Sequence, residues 1–388
     1  MGGEWQQVKL DNIARIEMGQ SPPGETCNYY GDGLPLLNGP TEFGGHHPVP
    51  AQFTTEPKKL ALPKDVLFCV RGSTTGRMNW ADRKYAIGRG IAALRHRAGS
   101  EYQHFLRATL EYHLDELLAG ATGSTFPNVS RDQLAKLLCN VPSLPEQRII
   151  ARILGALDDK IELNRCMNVS LEAMSYALFN EWFLVNPEAE GWDILPLPEI
   201  IEVNPSRSLR KGDIAPYLDM ANMPTQGHRA IQWVDRPFGS GTKFTNGDTL
   251  LARITPCLEN GKTAFVDFLS EGQIGWGSTE YIILRPKPPV PPEYGYYLAR
   301  SDSVRNHAIQ NMTGTSGRQR TPASCFDTFE ISVPPVELAI QFGDFARSIM
   351  GQIRANDEQS RTLAVISNTL LPKLMSGEIQ LEGFENEI

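Results

Sequence analysis

The sequence contains an internal repeat that spans most of its length. One tryptophan followed by two aliphatic residues at the same spacing occurs twice: Trp5, Leu10 and Ile13, then Trp192, Leu197 and Ile200. The segment DVLF from Asp65 returns as DTLL from Asp248, and TGSTFPNVS from Thr122 returns as TGTSGRQRT from Thr313. A repeat of this length indicates one architecture built twice. The 388 residues allow two to three domains at about 150 residues each.

Each repeat ends in a strand-like segment closed by Val-Pro, after which a long helical pattern begins. The first runs from Pro145 to about Phe183 with no internal proline, and Pro145 suits the first turn, where its missing N–H costs nothing. The second runs from about Pro335 to Leu371, and we predict that it stops at Pro372. Both patterns are much longer than an average globular helix.

Aligned with each other, the helical segments share a seam at 3-4 spacing with polar residues at matched positions. The predicted seam residues are Leu157, Ile161, Asn164, Leu171 and Leu178, with Ile349, Ile353, Asn356, Leu363 and Leu370. Matched polar positions fix the register of a coiled coil. We therefore predict antiparallel pairing, which would place the two halves at opposite ends with approximate two-fold symmetry. The alternative is two amphipathic helices that pack on separate cores.

A helix of about 38 residues at about 1.5 Å per residue would be about 57 Å long. That is roughly one and a half turns of B-DNA. Within each half, short β-branched and aromatic runs are broken by turns such as Asn246-Gly247, which predicts strand-rich α/β units. The predicted domains are a first strand-rich domain 1–143, a central helix 144–185, a second strand-rich domain 186–334, a C-terminal helix 335–377 and an acidic tail 378–388.

The net charge of −8 argues against nucleic acid, whose binding depends on Lys and Arg, but the charge is segregated. Residues 71–107 hold eight basic side chains against two acidic ones, whereas residues 145–190 hold eight acidic against four basic. A basic run is also compatible with an ordinary solvated face. We find no signal-peptide or membrane-span pattern and no paired cysteines. We therefore expect a soluble, cytoplasmic protein with reduced thiols.

Motifs for cofactor chemistry are incomplete. Asn260-Gly261-Lys262-Thr263 resembles the end of a phosphate-binding loop, but Pro256 stands where that motif needs its first glycine, so we interpret it as a hairpin turn. Gly88-Arg89-Gly90 opens a GxGxxA pattern without an acidic residue at the distance that a dinucleotide site requires. The chain is therefore not expected to bind a nucleotide cofactor.

Two further motifs suggest metal binding and methyl transfer. His46-His47 lacks another His or Cys at ligand spacing, so we interpret it as a proline-rich surface turn. Asn204-Pro205-Ser206-Arg207 lacks the second proline and the aromatic residue of an adenine methyltransferase motif. We predict no catalytic site and no metal site.

Instead of a catalytic constellation, Arg, Ser, Thr and Asn recur in glycine-rich loops. The candidate DNA-binding residues are Arg71, Ser73, Thr74, Arg77, Arg89, Thr125, Asn128, Arg253, Thr255, Lys262, Thr315, Ser316, Arg318 and Arg320. Arginine can pair with guanine and asparagine with adenine, while hydroxyls suit phosphates and several base edges. The same residues are equally ordinary in solvent-exposed turns.

The segment from Leu144 to Phe183 closely resembles the central region of the specificity subunits of Type I restriction-modification systems. Met18-Gly-Gln-Ser-Pro-Pro23, the segment from Gly33 to Gly39 and the segment from Leu371 to Glu378 resemble the same family. The resemblance implies two target recognition domains, one for each half of an asymmetric site in double-stranded DNA. It also implies that a pair of antiparallel helices sets the spacing and docks two methylation subunits.

The resemblance further implies that S-adenosylmethionine binds the methylation partner and that ATP and Mg²⁺ serve the restriction subunits, so this chain would bind none of them. It transfers no base preference to any residue. The alternatives are a complete restriction or methylating enzyme, a protein-interaction scaffold without a DNA role, and a specificity chain of another phage-defence system.

Overall fold

A computed structural model describes residues 5–121, 127–230, 232–315 and 317–381. The candidates Thr125 and Ser316, and residues 382–388 of the predicted acidic tail, lie outside the described residues. The chain divides into two units, here called unit 1 (Met1–Leu163 with Gln359–Ile388) and unit 2 (Asn164–Glu358). Each unit therefore combines one strand-rich half of the chain with a segment of each long helical region.

Unit 1 is a mixed α/β structure with three sheets. Its strands are β1 (Gln6–Lys9), β2 (Ala14–Met18), β3 (Cys27–Asn28), β4 (Leu34–Leu37), β5 (Gln52–Thr54), β6 (Leu60–Ala61), β7 (Val66–Cys69), β8 (Met78–Trp80), β9 (Tyr85–Ile87), β10 (Ile91–His96) and β11 (Leu138–Val141). Its helices are α1 (Leu10–Ile13), α2 (Gln103–Tyr112), α3 (Leu114–Ala119), α4 (Arg131–Lys136) and the first part of α5 (Leu144–Phe179). The sheets have the orders β1-β11, β2-β10-β7-β8 and β3-β5-β4-β9-β6, and β4 and β9 are parallel.

Unit 2 repeats this topology. Its strands are β12 (Ile194–Pro196), β13 (Ile201–Val203), β14 (Ile214–Leu218), β15 (Val234–Pro237), β16 (Thr242–Phe244), β17 (Thr249–Ala252), β18 (Thr263–Phe265), β19 (Gly275–Gly277), β20 (Tyr281–Pro286) and β21 (Glu330–Ser332). Its helices are the last part of α5, then α6 (Leu197–Ile200), α7 (Pro292–Arg300), α8 (Asp302–Gln310) and the first part of α9 (Val336–Met375). The orders β12-β21, β13-β20-β17-β18 and β15-β14-β19-β16 match those of unit 1 strand for strand, apart from β3. The predicted repeat and the strand-rich α/β class are confirmed.

The repeated Asp motifs mark one structural device in each unit. Asp65 accepts the backbone N–H of Leu62 at 2.7 Å and receives two hydrogen bonds of 2.7 Å from the Arg95 guanidinium. Asp248 likewise accepts the N–H of Thr245 at 2.8 Å and pairs with Arg285 at 3.2 Å. Both carboxylates are buried. A buried carboxylate needs such partners, which accounts for an aspartate at the start of the central strand in both repeats.

The long helices have the positions that the sequence predicts, with one correction. Helix α5 continues as a π-helix over Asn180–Leu184, close to the predicted end at Phe183. The correction concerns α9, which does not stop at Pro372 but runs to Met375. Pro372 removes the N–H that would bond the carbonyl of Asn368, and both residues are exposed, so water can serve that carbonyl. Leu374 and Met375 beyond it are almost fully buried. Their burial, at about 1.5–3 kcal/mol each, offsets a cost of about 3 kcal/mol for an internal proline.

Within unit 2 the segments of α5 and α9 lie antiparallel around polar contacts. Asn164 donates to the backbone carbonyl of Asn356 at 3.3 Å, and the Asn356 amide donates to Asn168 at 2.8 Å. Further along, the rings of Phe179 and Phe342 are 5.3 Å apart. The numbering rises along one helix as it falls along the other, so the two segments are antiparallel here. All ten predicted seam residues are buried or half-buried.

Two remaining predictions concern cysteines and membranes. No two cysteines among the described residues form a disulfide, and all except Cys166 are at least partly covered from solvent. Among the helices in the described ranges, none is both long enough and apolar enough to cross a bilayer.

Candidate nucleic-acid interface

Three loops meet at one end of the four-stranded sheet of unit 1. They comprise residues 70–77 after β7, residues 88–90 before β10, and residues 127–130 before α4. Val70 joins them, because its N–H donates to the Gly90 carbonyl and its carbonyl accepts from Val129, both at 2.9 Å. Strands β7 and β10 are antiparallel neighbours, so the end of one lies beside the start of the other. Candidate DNA-binding residues that are distant in sequence therefore lie at the same end of this sheet.

The first and third loops carry most unit 1 candidates. Arg71 and Asn128 form an isolated backbone bridge, and the Arg71 Nε lies 3.5 Å from the Asn128 side-chain oxygen. Arg71, Ser73 and Thr74 are exposed, while Asn128 is half-buried. The structure therefore brings four predicted DNA-binding residues together on an accessible surface of unit 1.

The second loop places Arg89 beside the N-terminal segment. Its Nε donates to the hydroxyl of Ser21 at 3.3 Å, and its side chain is exposed. Gly19 makes this approach possible, because a Cβ there would overlap the carbonyl oxygen of Gly88. The Met18–Pro23 motif thus borders the candidate interface. The sequence alone had not predicted a role in DNA binding for this motif.

Arg77 has a different environment from the other candidates. Its guanidinium donates to the carbonyl oxygens of Pro40 (3.2 Å), Phe43 (3.0 Å) and Gly44 (3.4 Å). It therefore holds the 40–44 loop against the sheet. Arg95, in the same basic run, is bound to a carboxylate as described above, so the charge count of residues 71–107 exceeds the charge available to a ligand.

The same three-loop arrangement occurs in unit 2. The N–H of Arg253, just after β17, donates to the carbonyl of Glu280, just before β20, at 3.0 Å. The Arg253 carbonyl accepts from Thr321 at 2.8 Å, and Thr255 donates to Gln319 at 3.0 Å. These contacts join residues 253–262, 278–280 and 317–321 at the end of the sheet that corresponds to the interface of unit 1.

Among the unit 2 candidates, Thr315 and Arg318 lie at an exposed turn closed by a 3.0 Å backbone bond from Arg318 to Thr315. Arg320 instead donates to the Glu280 carboxylate at 2.8 Å, and Arg253 lies 3.9 Å from the same carboxylate. Glu280 was not predicted from the sequence. It orients Arg320 through a charge-assisted hydrogen bond, whereas Arg253 lies within electrostatic range of the same carboxylate without a hydrogen bond to it.

The other two unit 2 candidates use their polar atoms inside the unit. The Thr255 hydroxyl donates to Glu259 at 2.9 Å, and the Lys262 ammonium donates to the carbonyls of Met220 and Ala221. The loop that contains them connects the antiparallel strands β17 and β18. The NGKT segment, interpreted from the sequence as a hairpin turn, forms the last part of the longer connection between these two strands.

A depression of about 350 Å³ adjoins these loops in unit 2. Asn204-Pro205-Ser206-Arg207, Lys243 and Arg253 line part of it. The Arg207 guanidinium is bound to Asp248 at 2.6 Å, and the Lys243 ammonium donates to the Arg207 carbonyl at 3.1 Å. Sequence reasoning had considered the Asn204 segment only as a methyltransferase motif. Lys243 lies in the three-residue strand β16 and belongs to no glycine-rich loop. The sequence pattern therefore did not predict it as a site residue.

The fold and these loops define a duplicated protein that presents two sets of polar, arginine-bearing loops from the ends of matching sheets. Its residues 2–173 match the family described as the Type I restriction modification DNA specificity domain. The chain is thus similar to Type I specificity subunits, as its sequence motifs indicate.

Individual relatives support this similarity. The putative type I restriction enzyme MjaX specificity subunit of Methanocaldococcus jannaschii is 33% identical over 179 residues, which are 46% of this chain and 42% of that protein. The MjaIX specificity subunit of the same organism is 21% identical over an alignment that covers 98% of this chain and 94% of that protein. The chain therefore matches less than half of the first relative and nearly all of the second. The S subunit from M. genitalium shares the fold, with a TM-score of 0.60, 16% identity and 96% of each chain covered.

Proposed function

We propose that this chain is the DNA sequence-specificity subunit of a Type I restriction-modification complex. Unit 1 and unit 2 each read one half of an asymmetric bipartite site in double-stranded DNA. The observation that carries the proposal is the repeated three-loop edge, which presents exposed Arg71 in one unit and exposed Arg318 in the other. The loops share geometry but differ in sequence, so each unit reads its own bases.

The long helices separate the two half-sites and dock two methylation subunits. Residues 145–190 hold eight acidic against four basic side chains. Asp158 and Glu172 are bound within the chain, and the remaining acidic excess would repel phosphates, which favours a protein partner for this region. The unit 2 segment of α5 also exposes large apolar side chains: Met167 is 37% exposed and Met174 49%. Seven residues apart, these two lie on one face of the helix, where they offer a protein partner the methionine-rich apolar contact that is common in interface cores.

We expect the double substitution Met167→Asp and Met174→Asp to weaken binding of the methylation subunit about tenfold or more, because two carboxylates would be desolvated at the contact. Co-purification and calorimetric titration would measure the loss. Val169→Asp is the matched control, since Val169 is 55% exposed but points away from that face, two residues from Met167. Equal loss in the control would contradict docking through this face.

The chemistry of the complex belongs to its partners in this proposal. S-adenosylmethionine binds the methylation subunits, ATP and Mg²⁺ serve the restriction subunits, and this chain is non-catalytic. Its contribution is to hold the loops of each unit in a geometry that selects the sequence. Affinity for DNA then depends on salt, because arginine contacts to phosphate release counterions.

The test is co-expression with the neighbouring methylation subunit, followed by mapping of methylated adenines in the host genome by single-molecule sequencing. A split, asymmetric methylated motif with a fixed spacer supports the proposal and identifies both half-sites. A folded complex that adds no methylation would favour another phage-defence system or a scaffold role. Salt-dependent affinity limited to cognate duplex separates the DNA-binding alternatives from the scaffold.

A further inference from the structure

We propose that His46, His47 and Glu162 of unit 1 form a binding site for one divalent transition-metal ion, with Zn²⁺ the best match to the ligands. The Nδ1 of His46 and the Nε2 of His47 are 3.2 Å apart. A carboxylate oxygen of Glu162, on α5, completes a group whose ligand atoms all lie within 4.8 Å of one another. Two nitrogens that each lie about 2.0–2.1 Å from a tetrahedral zinc are about 3.3 Å apart.

The hydrogen bonds of the two imidazoles direct their lone pairs toward each other. The Nδ1 of His47 lies 3.0 Å from the Trp80 carbonyl, so it must donate its proton there. The Nε2 of His46 lies 3.2 Å from a carboxylate oxygen of Asp158 and donates to it. In neutral rings the two remaining nitrogens are both acceptors and repel each other at 3.2 Å. A cation between them converts this repulsion into two coordinate bonds.

The outer contacts match those of metal-binding histidines. Such residues usually donate the second ring N–H to a carboxylate or a backbone carbonyl, which fixes the ring and increases its basicity. Asp158 and the Trp80 carbonyl have these roles here. Asp158 is itself held in place, because the same oxygen accepts the Trp80 indole N–H at 2.8 Å and lies 3.7 Å from the Arg107 guanidinium.

The ligands come from preformed parts of unit 1. A backbone bond of 3.1 Å from Gly44 to His47 closes the turn, and the Trp80 N–H donates to the His46 carbonyl at 3.1 Å. A cavity of about 640 Å³, lined by both histidines and Glu162, opens beside the group. It gives access to the ion and room for water as a fourth ligand, the arrangement usual for three-ligand zinc sites.

The sequence-based interpretation of His46-His47 as a surface turn describes the backbone correctly. It predicted no metal because no third ligand stands nearby in sequence, whereas Glu162 comes from the distant helix α5. The ion would cross-link the 44–48 turn to that helix. Arg77 already holds residues 40–44 through their carbonyls, and the metal would add a second connection, between the adjoining turn and α5.

The experiment uses the tag-free full chain after treatment with a chelator. ZnCl₂ is titrated in competition with a chromophoric chelator, and Co²⁺ absorption reports the coordination geometry. We expect one Zn²⁺ per chain and a tetrahedral Co²⁺ spectrum. His47→Asn and Glu162→Gln should each weaken Zn²⁺ binding at least tenfold, and Asp158→Asn about 10- to 100-fold as an outer partner.

His113→Asn is the matched control, because His113 contacts only Glu116 among the described side-chain hydrogen bonds of unit 1, and it should leave Zn²⁺ affinity unchanged. Circular dichroism establishes that each variant is folded. A folded wild-type chain that binds no Zn²⁺ would overturn the proposal. Unchanged affinity in folded His47→Asn and Glu162→Gln chains would overturn it as well. Neither outcome bears on DNA recognition.

Discussion

Replacing Glu172 by Ala should lower the free energy of unfolding of unit 2 by about 3 kcal/mol. The carboxylate on α5 lies 3.1 Å from the His228 Nδ1 and accepts the Tyr296 hydroxyl at 2.5 Å. Both partners are fully buried. The substitution leaves two buried polar groups without their acceptor, at about 1–3 kcal/mol each. For a unit of this size the melting temperature should fall by about 6–12 °C.

The effect of Glu172→Ala should also depend on pH. Burial raises the pKa of Glu172, but the hydrogen bond and charge of His228, with the Tyr296 hydroxyl, outweigh burial and lower the pKa below its ordinary value. A carboxyl whose folded pKa is lowered stabilises the fold above its unfolded pKa, about 4.3, and loses that contribution as pH falls through the folded pKa. The difference between wild type and variant should therefore shrink below about pH 4.

Denaturant unfolding at about pH 7 and at about pH 4 and below, followed by tryptophan fluorescence, measures both effects. Glu181→Ala is the control, since Glu181 is exposed further along the same helical region and should change stability by less than about 0.5 kcal/mol. Equal stability of Glu172→Ala and wild type at neutral pH would show that the buried contacts contribute nothing.

Arg318→Ala should weaken recognition of the half-site read by unit 2 by about 10- to 100-fold and leave the other half-site's preference intact. Arg318 is exposed at a closed turn, and a bidentate arginine–base contact provides about 1–3 kcal/mol of discrimination. Arg71→Ala should have the reciprocal effect through unit 1. Arg71 is a sharper test than Arg77, because replacing Arg77 would also release the 40–44 loop.

Binding of the complex with its methylation subunits to duplexes altered in one half-site at a time provides the measurement. Lys136→Ala removes the same charge from an exposed position on α4 and controls for non-specific attraction. Equal loss at both half-sites in Arg318→Ala would contradict independent recognition by the two units.

The sequence predicted the features that depend on local pattern. The spacing of Leu10 and Leu197 after a tryptophan identified the repeat, and both leucines are fully buried at the starts of α1 and α6. The lengths of α5 and α9 followed from uninterrupted periodicity. The predicted end of α9 at Pro372 was wrong. Leu374 and Met375 are buried in the core of unit 1, and this tertiary packing cannot be inferred from the local preference of proline to end a helix.

The sequence could not assign the arginines individually. Arg71 and Arg77 flank one loop and looked equivalent, yet Arg71 lies at the accessible edge beside Asn128, whereas Arg77 is bound by backbone carbonyls. Their difference arises from a loop more than thirty residues earlier in the chain, at Pro40 and Phe43. Glu280, which binds Arg320, was missed for the same reason. Which polar side chains remain available to DNA is decided by contacts between distant segments.

The ladder between β12 and β21 has a consequence for how such a protein can change. Ile194 pairs with Ser332 and Pro196 with Glu330, so the chain enters and leaves the strand-rich part of unit 2 at neighbouring positions. Exchanging the whole segment between those strands would keep these entry and exit points, but the incoming segment would also have to supply the groups that bind α5, such as His228 and Tyr296 against Glu172. A segment that retains those contacts could carry a different set of loops on the same two helices.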